Sequence, residues 1–464
     1  MKKLLTTISV LIFVASCAST QKNASNNLET NLHQGNTNEA INLAIKNADL
    51  DVEKNILGDQ LWGMQSASLY RLSKQYDKSN AYFDLIEDVM YQEDTENLLK
   101  EGGELVFSAL TNDTFLAYEQ SVYDSIMVNT YKALNFTVQG DIANARVEWN
   151  RADDRQRRAA DYFSEKIKDK KEELATEAAE KQKESGQADN KGSQKSLSES
   201  EKLLAKQGVD MSGWKSYENY VNPFSTYMHG LFFMLAAQDK SDLNKAIDSF
   251  KRVEGITNTK AAKKSLNIAK SLLKNNSATN DKVWVVFENG RSIQKEEMRI
   301  DLPVFLVSNN IVYTGIALPK LKEQRDYFPS LVANGVNTEV IADMDKIIKA
   351  EFKEEFSLIL SREITRTIAK TIVQKQINDK NPLLGFGAGL LQAVSTSADL
   401  RTWSMLPKNF QAAVIDKPKN NQVVLELNGL ASPIIVDVNP EKRSIVYVKA
   451  FNTTVAPTIE VITL

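Results

Sequence analysis

The sequence is poor in the residues that most often carry chemistry. Its 464 residues include one cysteine and two histidines. A zinc site built on Cys and His needs three or four such ligands, so it cannot be assembled. No disulfide can form within the chain. A Cys–His or Ser–His–Asp device would have to recruit His33 or His229. An excess of one charge is missing as well: 57 Lys and Arg face 60 Asp and Glu, a formal net charge of −3 with pI ≈ 5.8. That near-balance supplies no global drive toward nucleic acid. Past the N-terminal run no stretch reaches the 18 apolar residues of a membrane span. The whole chain, 42% hydrophobic and 25% charged, is close to the globular average, and the length predicts two to four domains.

The single cysteine has a context. The chain begins MKKLLTTISVLIFVASC, with Lys2 and Lys3 as a basic start and an apolar stretch from Leu4 to Ala15. That stretch is of signal-peptide length and too short to span a bilayer as a mature helix. Val14-Ala15-Ser16-Cys17 resembles the lipobox of bacterial lipoproteins. The resemblance implies a signal peptide over 1–16, a diacylglycerol thioether on Cys17 and cleavage before it. Two or three acyl chains make such anchoring effectively stable. Losing Lys2 and Lys3 takes the formal charge from −3 to −5. Ala18, in place of an aspartate, implies the outer membrane by the enterobacterial sorting rule. Residues 17–29, rich in Ser, Thr, Asn and Lys, read as a lipidated tether.

Residues 30–275 are expected to be all-α. Several segments share a turn, a small residue and an aromatic or apolar residue four later. In one, Gly140 precedes Ala145 and Trp149, after a helix carrying Tyr123, Ile126, Tyr131 and Leu134. Others are Ser79 with Phe83, Ala40 with Ala44, and Ala246 with Phe250. These resemble the second helix of tetratricopeptide repeats, where a glycine ends the first helix and a small residue lets two helices approach. Three or more stacked pairs bury a continuous core. The spacing is irregular, 39 residues from Ala40 to Ser79 and 66 from Ser79 to Ala145, so divergent repeats and a generic helical bundle both stay open. The resemblance implies a groove for partner peptides. Most of the aromatics sit where core packing would place them, and His229, beside Met228 and Leu231, is expected in the core.

An insertion over about 165–207 interrupts this region. The run from Asp153 to Arg158 opens a charged helix of alternating sign. Glu184 to Ser200 is nearly free of apolar residues and is expected to be a disordered linker. Arg155 to Arg158 read as a solvated face laced with Asp153, Asp154 and Asp161, or as a phosphate or lipid site.

Polar residues from Asn275 to Asp281 mark a boundary, and 281–464 is expected to be an α+β domain. Val283 to Phe287 and Ile311 to Leu318 predict strands, the second stopped at Pro319. From Asp343 a helix carries Ile348, Phe352, Phe356, Leu360, Ile364, Ile368 and Ile372 at four-residue steps. Such steps drift by about 40° each on a helix, which predicts a bend near Ser361 or burial on several sides. Pro382 to Val394 is apolar and glycine-rich. Its Gly385–Gly389 run follows a helix and not a strand, which argues against a dinucleotide loop. A buried or membrane-touching helix is expected there instead. Four further strands, from Asn409, Gln422, Ile434 and Ser444, predict a small antiparallel unit with turns at Pro418–Asn421 and Asn439–Lys442.

Several strings now align. Glu288-Asn289-Gly290, Glu297 to Pro303, Ile316 to Leu321 and Ala398 to Trp403 resemble, in this order, a family of little-characterised bacterial envelope lipoproteins with tetratricopeptide-like N-terminal halves. Their genes often lie beside those of lipoproteins that activate peptidoglycan synthases. The resemblance implies an α+β chain acting as a lipid-anchored, periplasm-facing scaffold at the outer membrane. Its partners would be the membrane and envelope proteins, including the cell-wall synthesis machinery; no nucleic acid, cofactor, metal or catalytic residue is implied. Asp399, Arg401 and Trp403 form its most distinctive cluster. At i, i+2, i+4 on an extended segment they would share one face. They read as a partner or ligand site, or as an ion pair and packed indole that lock a loop to a helix. Two other functions remain open: a glycan- or lipid-binding module, favoured if Trp403 or Trp284 is exposed, and a cell-wall hydrolase working through two carboxylates.

Overall fold

The computed structural model describes residues 23–96, 118–185, 190–206, 222–274, 281–307, 310–380 and 397–464, with isolated positions 209, 211, 214 and 217. Cys17, the signal peptide and the segment 382–394 lie outside the described residues. So does most of the boundary near 275–281.

The helices come first in the chain. They are α1 (23–33), α2 (Thr37–Ala48), α3 (Gln60–Leu72), α4 (Tyr76–Glu96), α5 (Val122–Gln139) and α6 (Ile142–Ser185), then α7 (Asn190–Lys206), α8 (Pro223–Leu235), α9 (Lys240–Thr257) and α10 (Lys260–Leu273). Their ends follow local rules. Ser121 and Asp124 form a reciprocal capping box at the start of α5. Gly140 ends α5 in the left-handed region, at φ 76°, where glycine carries no Cβ penalty. Asp59, Asp239 and Thr259 cap α3, α9 and α10 through side-chain oxygens. Consecutive helices pack as pairs: α3 on α4, α5 on α6, α8 on α9.

Two segments depart from expectation. The tether predicted to reach residue 29 is helical from 23, because Ala24, Leu28 and Leu32 stand at i, i+4, i+8 and are all buried. The predicted disordered linker is α7 from residue 190. Its composition is polar, yet Ser196, Ser200 and Leu204 recur at helical spacing and bury completely or nearly so. Small serines let this face approach its neighbours, which composition counts miss.

Among the described residues the rest of the chain holds one more helix, α11 (Met344–Lys380), and most of the strands. A five-stranded sheet has the order β13 (Thr458–Thr463), β12 (Ser444–Ala450), β3 (Lys282–Asn289), β9 (Asn409–Asp416), β8 (Glu339–Asp343). All its neighbours are antiparallel except β12 and β3. A four-stranded sheet has the order β11 (Ile434–Asp437), β10 (Gln422–Leu427), β6 (Leu331–Ala333), β7 (Val336–Asn337). A long hairpin joins β4 (Gln294–Val307) to β5 (Asn310–Lys322), and a two-residue pair joins β1 (Leu50–Asp51) to β2 (Ile56–Leu57). The β5 strand runs through Pro319, opposite Glu297, and does not stop there. A two-stranded ribbon has open edges, so a residue without an N–H is tolerated. The C-terminal strands are not one hairpin unit either: Pro418–Asn421 and Asn439–Lys442 carry the chain from one sheet to the other and back.

The architecture is α+β in three layers. Along β3, Trp284 and Val286 face the helices, while Val283, Val285 and Phe287 face the four-stranded sheet. One buried cluster therefore runs through both halves of the chain, from Leu28 through Trp62, Tyr131 and Phe224 to Trp403, Phe410 and Ile462. Phe224 and Phe410 stack with centroids 3.5 Å apart across this junction. The composition boundary near 275–281 separates helical from β-bearing sequence, not one core from another. The drifting stripe of α11 is buried on successive sides. Ile347 and Ile348 enter the shared core; Phe352, Phe356, Leu360, Ile364 and Ile368 pack on the β4–β5 hairpin and α7. No helix among the described residues is long and apolar enough to cross a membrane.

Candidate functional site

Asp399, Arg401 and Trp403 do not share a face. The Trp403 ring is fully buried among the helices, edge-on to Phe83 and Tyr131 at 6.3 and 5.9 Å between centroids. Its indole N–H donates to Ser68 Oγ at 2.9 Å on α3. Gln65, also on α3, donates to Thr402 O and Ser404 Oγ at 3.3 and 3.1 Å. Trp403 thus fastens this loop to α3 and touches no solvent. Trp284 is buried too, donating to Ser265 Oγ at 3.1 Å. Neither indole offers a stacking platform to a sugar.

Asp399 and Arg401 turn the other way. Arg401 grips Asp399 with Nε to Oδ1 at 2.9 Å and Nη2 to Oδ2 at 2.7 Å, while its backbone N–H donates to Oδ1 at 3.0 Å. Burial works against the Asp399 charge, but the guanidinium prevails and holds the carboxyl below its usual range. The Arg401 guanidinium also lies 5.7 Å from the Tyr118 ring centroid. Both residues line a cleft of about 120 Å³.

Five segments build the cleft walls, the first being Tyr118, Glu119 and Ser121 just before α5. From α6 come Lys166 and Lys170, one turn apart. Lys166 donates to Gln120 O at 2.7 Å, and Lys170 pairs with Glu119 at 2.8 Å and approaches Glu355 at 3.8 Å. Helix α11 supplies Glu355, Leu358, Ile359, Arg362 and Glu363. The hairpin contributes Lys295, Ala317 and Pro319. Ala398 is held on the hairpin by donating its N–H to Glu297 Oε2 at 3.1 Å. The charge inventory of the lining is five cations against four carboxylates.

Two buried acids stand behind the cleft. Asp124 accepts from Tyr118 Oη at 2.7 Å and from Ser121 N at 3.0 Å, yet burial pushes its carboxyl up to about 6. Glu351 accepts the Val122 N–H at 2.9 Å, and burial, reinforced by the Glu355 charge, raises its carboxyl above the usual range. Asp399 has both carboxylate oxygens committed to Arg401.

Sequence reading missed Lys166, Lys170, Lys295, Glu119 and Glu355. One signal was present. Like charges at i, i+4, as in Lys166–Lys170 and Glu351–Glu355, destabilise an isolated helix and call for outside counter-charges. The Arg155–Arg158 run, by contrast, is spent on ion pairs: Arg155 with Glu87 at 3.6 Å, Arg157 with Asp153 and Arg158 with Asp154 at 2.6 Å each. His229 is buried, with Nδ1 2.9 Å from Ser249 Oγ. Among the described residues no three His, Cys, Asp or Glu side chains come together as a metal site.

No family model matches the chain, and no curated protein or solved structure is detectably similar to it.

Proposed function

We propose that this chain is a lipid-anchored adaptor of the cell envelope, held at the outer membrane through Cys17 and docking envelope proteins on tetratricopeptide-like helix pairs. The supporting observation is the repeated pairing of α3 with α4, α5 with α6 and α8 with α9. In each pair a small residue meets its neighbour closely. Ser79 Oγ donates to Ala67 O at 2.8 Å between α3 and α4. Ala145 and Trp149 of α6 are buried, with the indole donating to Thr137 Oγ1 of α5 at 3.2 Å. A Cβ on Gly230 of α8 would stand only 2.9 Å from the Phe250 ring of α9. Helix α6, at 44 residues, is about 66 Å long and outreaches the body of a small domain, which suits a chain that spans between partners. By the lipoprotein resemblance the surface faces the periplasm and the partners include the cell-wall synthesis machinery.

The sugar-platform alternative is disfavoured by the burial of Trp284 and Trp403. In-cell crosslinking with affinity capture tests the adaptor reading. Reproducible recovery of envelope proteins is expected; their consistent absence would overturn it. Cys17→Ser should abolish labelling by radioactive palmitate and move the chain out of the membrane fraction.

A further inference from the structure

The charges in the cleft are not all matched. Each lining carboxylate already has a cation: Glu119 with Lys170 at 2.8 Å, Asp399 with Arg401 at 2.7 Å, Glu363 with Arg366 at 2.8 Å, and Glu355 with Lys170 at 3.8 Å. The reverse does not hold. Lys295, half-buried on β4, makes no hydrogen bond or ion pair among the described residues. Its field reaches Asp124 and Asp399 only at longer range. The lining holds five cations and four carboxylates, and Lys295 stands in close contact with none of those carboxylates.

We propose that the cleft binds a carboxylate ligand of amino-acid size, with the Lys295 ammonium as its counter-ion. The volume of about 120 Å³ takes only a few heavy atoms, as in acetate, glycine or the last residue of a peptide. Leu358, Ile359, Ala317 and Pro319 give it an apolar floor for the carbon next to the carboxylate. A monoanion needs one close counter-charge, which Lys295 can supply, whereas a phosphate dianion would meet four carboxylates with too little compensation. Glu119, at the mouth, is 61% exposed, so a chain bearing the carboxylate has a way out to solvent. The carboxylate could therefore belong to a free small acid or to the C-terminus of a peptide. This inference is independent of the adaptor reading, which stands or falls on partner capture.

The test is titration calorimetry on the full chain in detergent, with acetate, glycine, triglycine, triglycine amide, methylammonium and inorganic phosphate as probes. Saturable binding of acetate and glycine is expected. Triglycine binding as well assigns the site to peptide C-termini; its exclusion assigns the site to free acids. Lys295→Gln should weaken carboxylate binding about tenfold or more, while Lys320→Gln, at an alternate position of the same hairpin and paired with Glu296, should leave it unchanged. A thermal melt checks that both variants fold. The proposal is overturned if no carboxylate binds, if triglycine amide or methylammonium binds as well as acetate, if phosphate alone binds, or if folded Lys295→Gln binds carboxylates normally.

Discussion

Glu288 sits at the meeting of helices and sheet with no exposed surface. It accepts from Tyr131 Oη at 2.8 Å, Tyr447 Oη at 2.7 Å and Lys449 Nζ at 2.7 Å. Arg71 lies 5.3 Å from the centroids of both tyrosine rings. Burial opposes the charge, but Lys449 and Arg71 overcome it and hold the carboxyl below its usual range. Glu288→Ala would strand two buried cations and should cost about 3–5 kcal/mol in urea unfolding. His229 tests burial with the opposite charge. Burial drops its imidazole from 6.5 to about 4, against the attraction of Asp153 and with Arg252, Lys245 and Arg157 adding to the drop. The unfolded imidazole takes up its proton first as pH falls. Stability is therefore full above about pH 6.5 and declines toward pH 4, by at most about 3 kcal/mol. His229→Gln should flatten that part of the stability-versus-pH curve; an unchanged slope would show that the ring is not desolvated. The apolar neighbours of His229 made its burial legible in the sequence. The role of Glu288 was not, since its four partners come from positions 71, 131, 447 and 449.

At the scale of elements, close approach and small residues govern the packing. In the turn after β3, Gly290 adopts φ 62°, and a Cβ there would lie 2.6 Å from Tyr327 Cβ. Gly290→Ala should destabilise by about 1–3 kcal/mol in thermal unfolding, through strain and clash together. Helix α7 rests on Leu204, with Leu197 and Leu203 partly buried beside it. Leu204→Ala should remove about 2–5 kcal/mol of local packing. The readout is amide exchange across 190–206, which should accelerate far more than exchange in β3 or β9. Equal acceleration everywhere would mean that α7 belongs to the global unfolding unit. Helix periodicity in α5 and α11 and the β-prone run of β3 were readable because they are short-range. Helix α7 was not, because its serines count as polar until a neighbouring surface buries them.

At the scale of the molecule, the single core makes a prediction about separability. Trp284, Phe410 and Tyr447 pack in the same cluster as Tyr131, Phe224 and Leu235. A fragment ending at residue 274 would expose that face. It should bind an apolar dye and unfold without a sharp transition, while the longer chain gives one coincident transition by fluorescence and circular dichroism. A cooperative, dye-silent fragment would show two independent domains. The sequence alone determined the α+β composition, the approximate places of most helices and strands, and the scarcity of histidine and cysteine that rules out a Cys/His zinc cluster. Those properties rest on local spacing and composition. Tertiary structure alone decided that both halves share one core and that Trp403 turns inward while Arg401 turns outward. It also decided that lysines of α6 and β4 meet acids of α11 around one cleft. The physical reason is the same each time: these outcomes depend on which distant surfaces exclude water together, and no window of neighbouring residues carries that information.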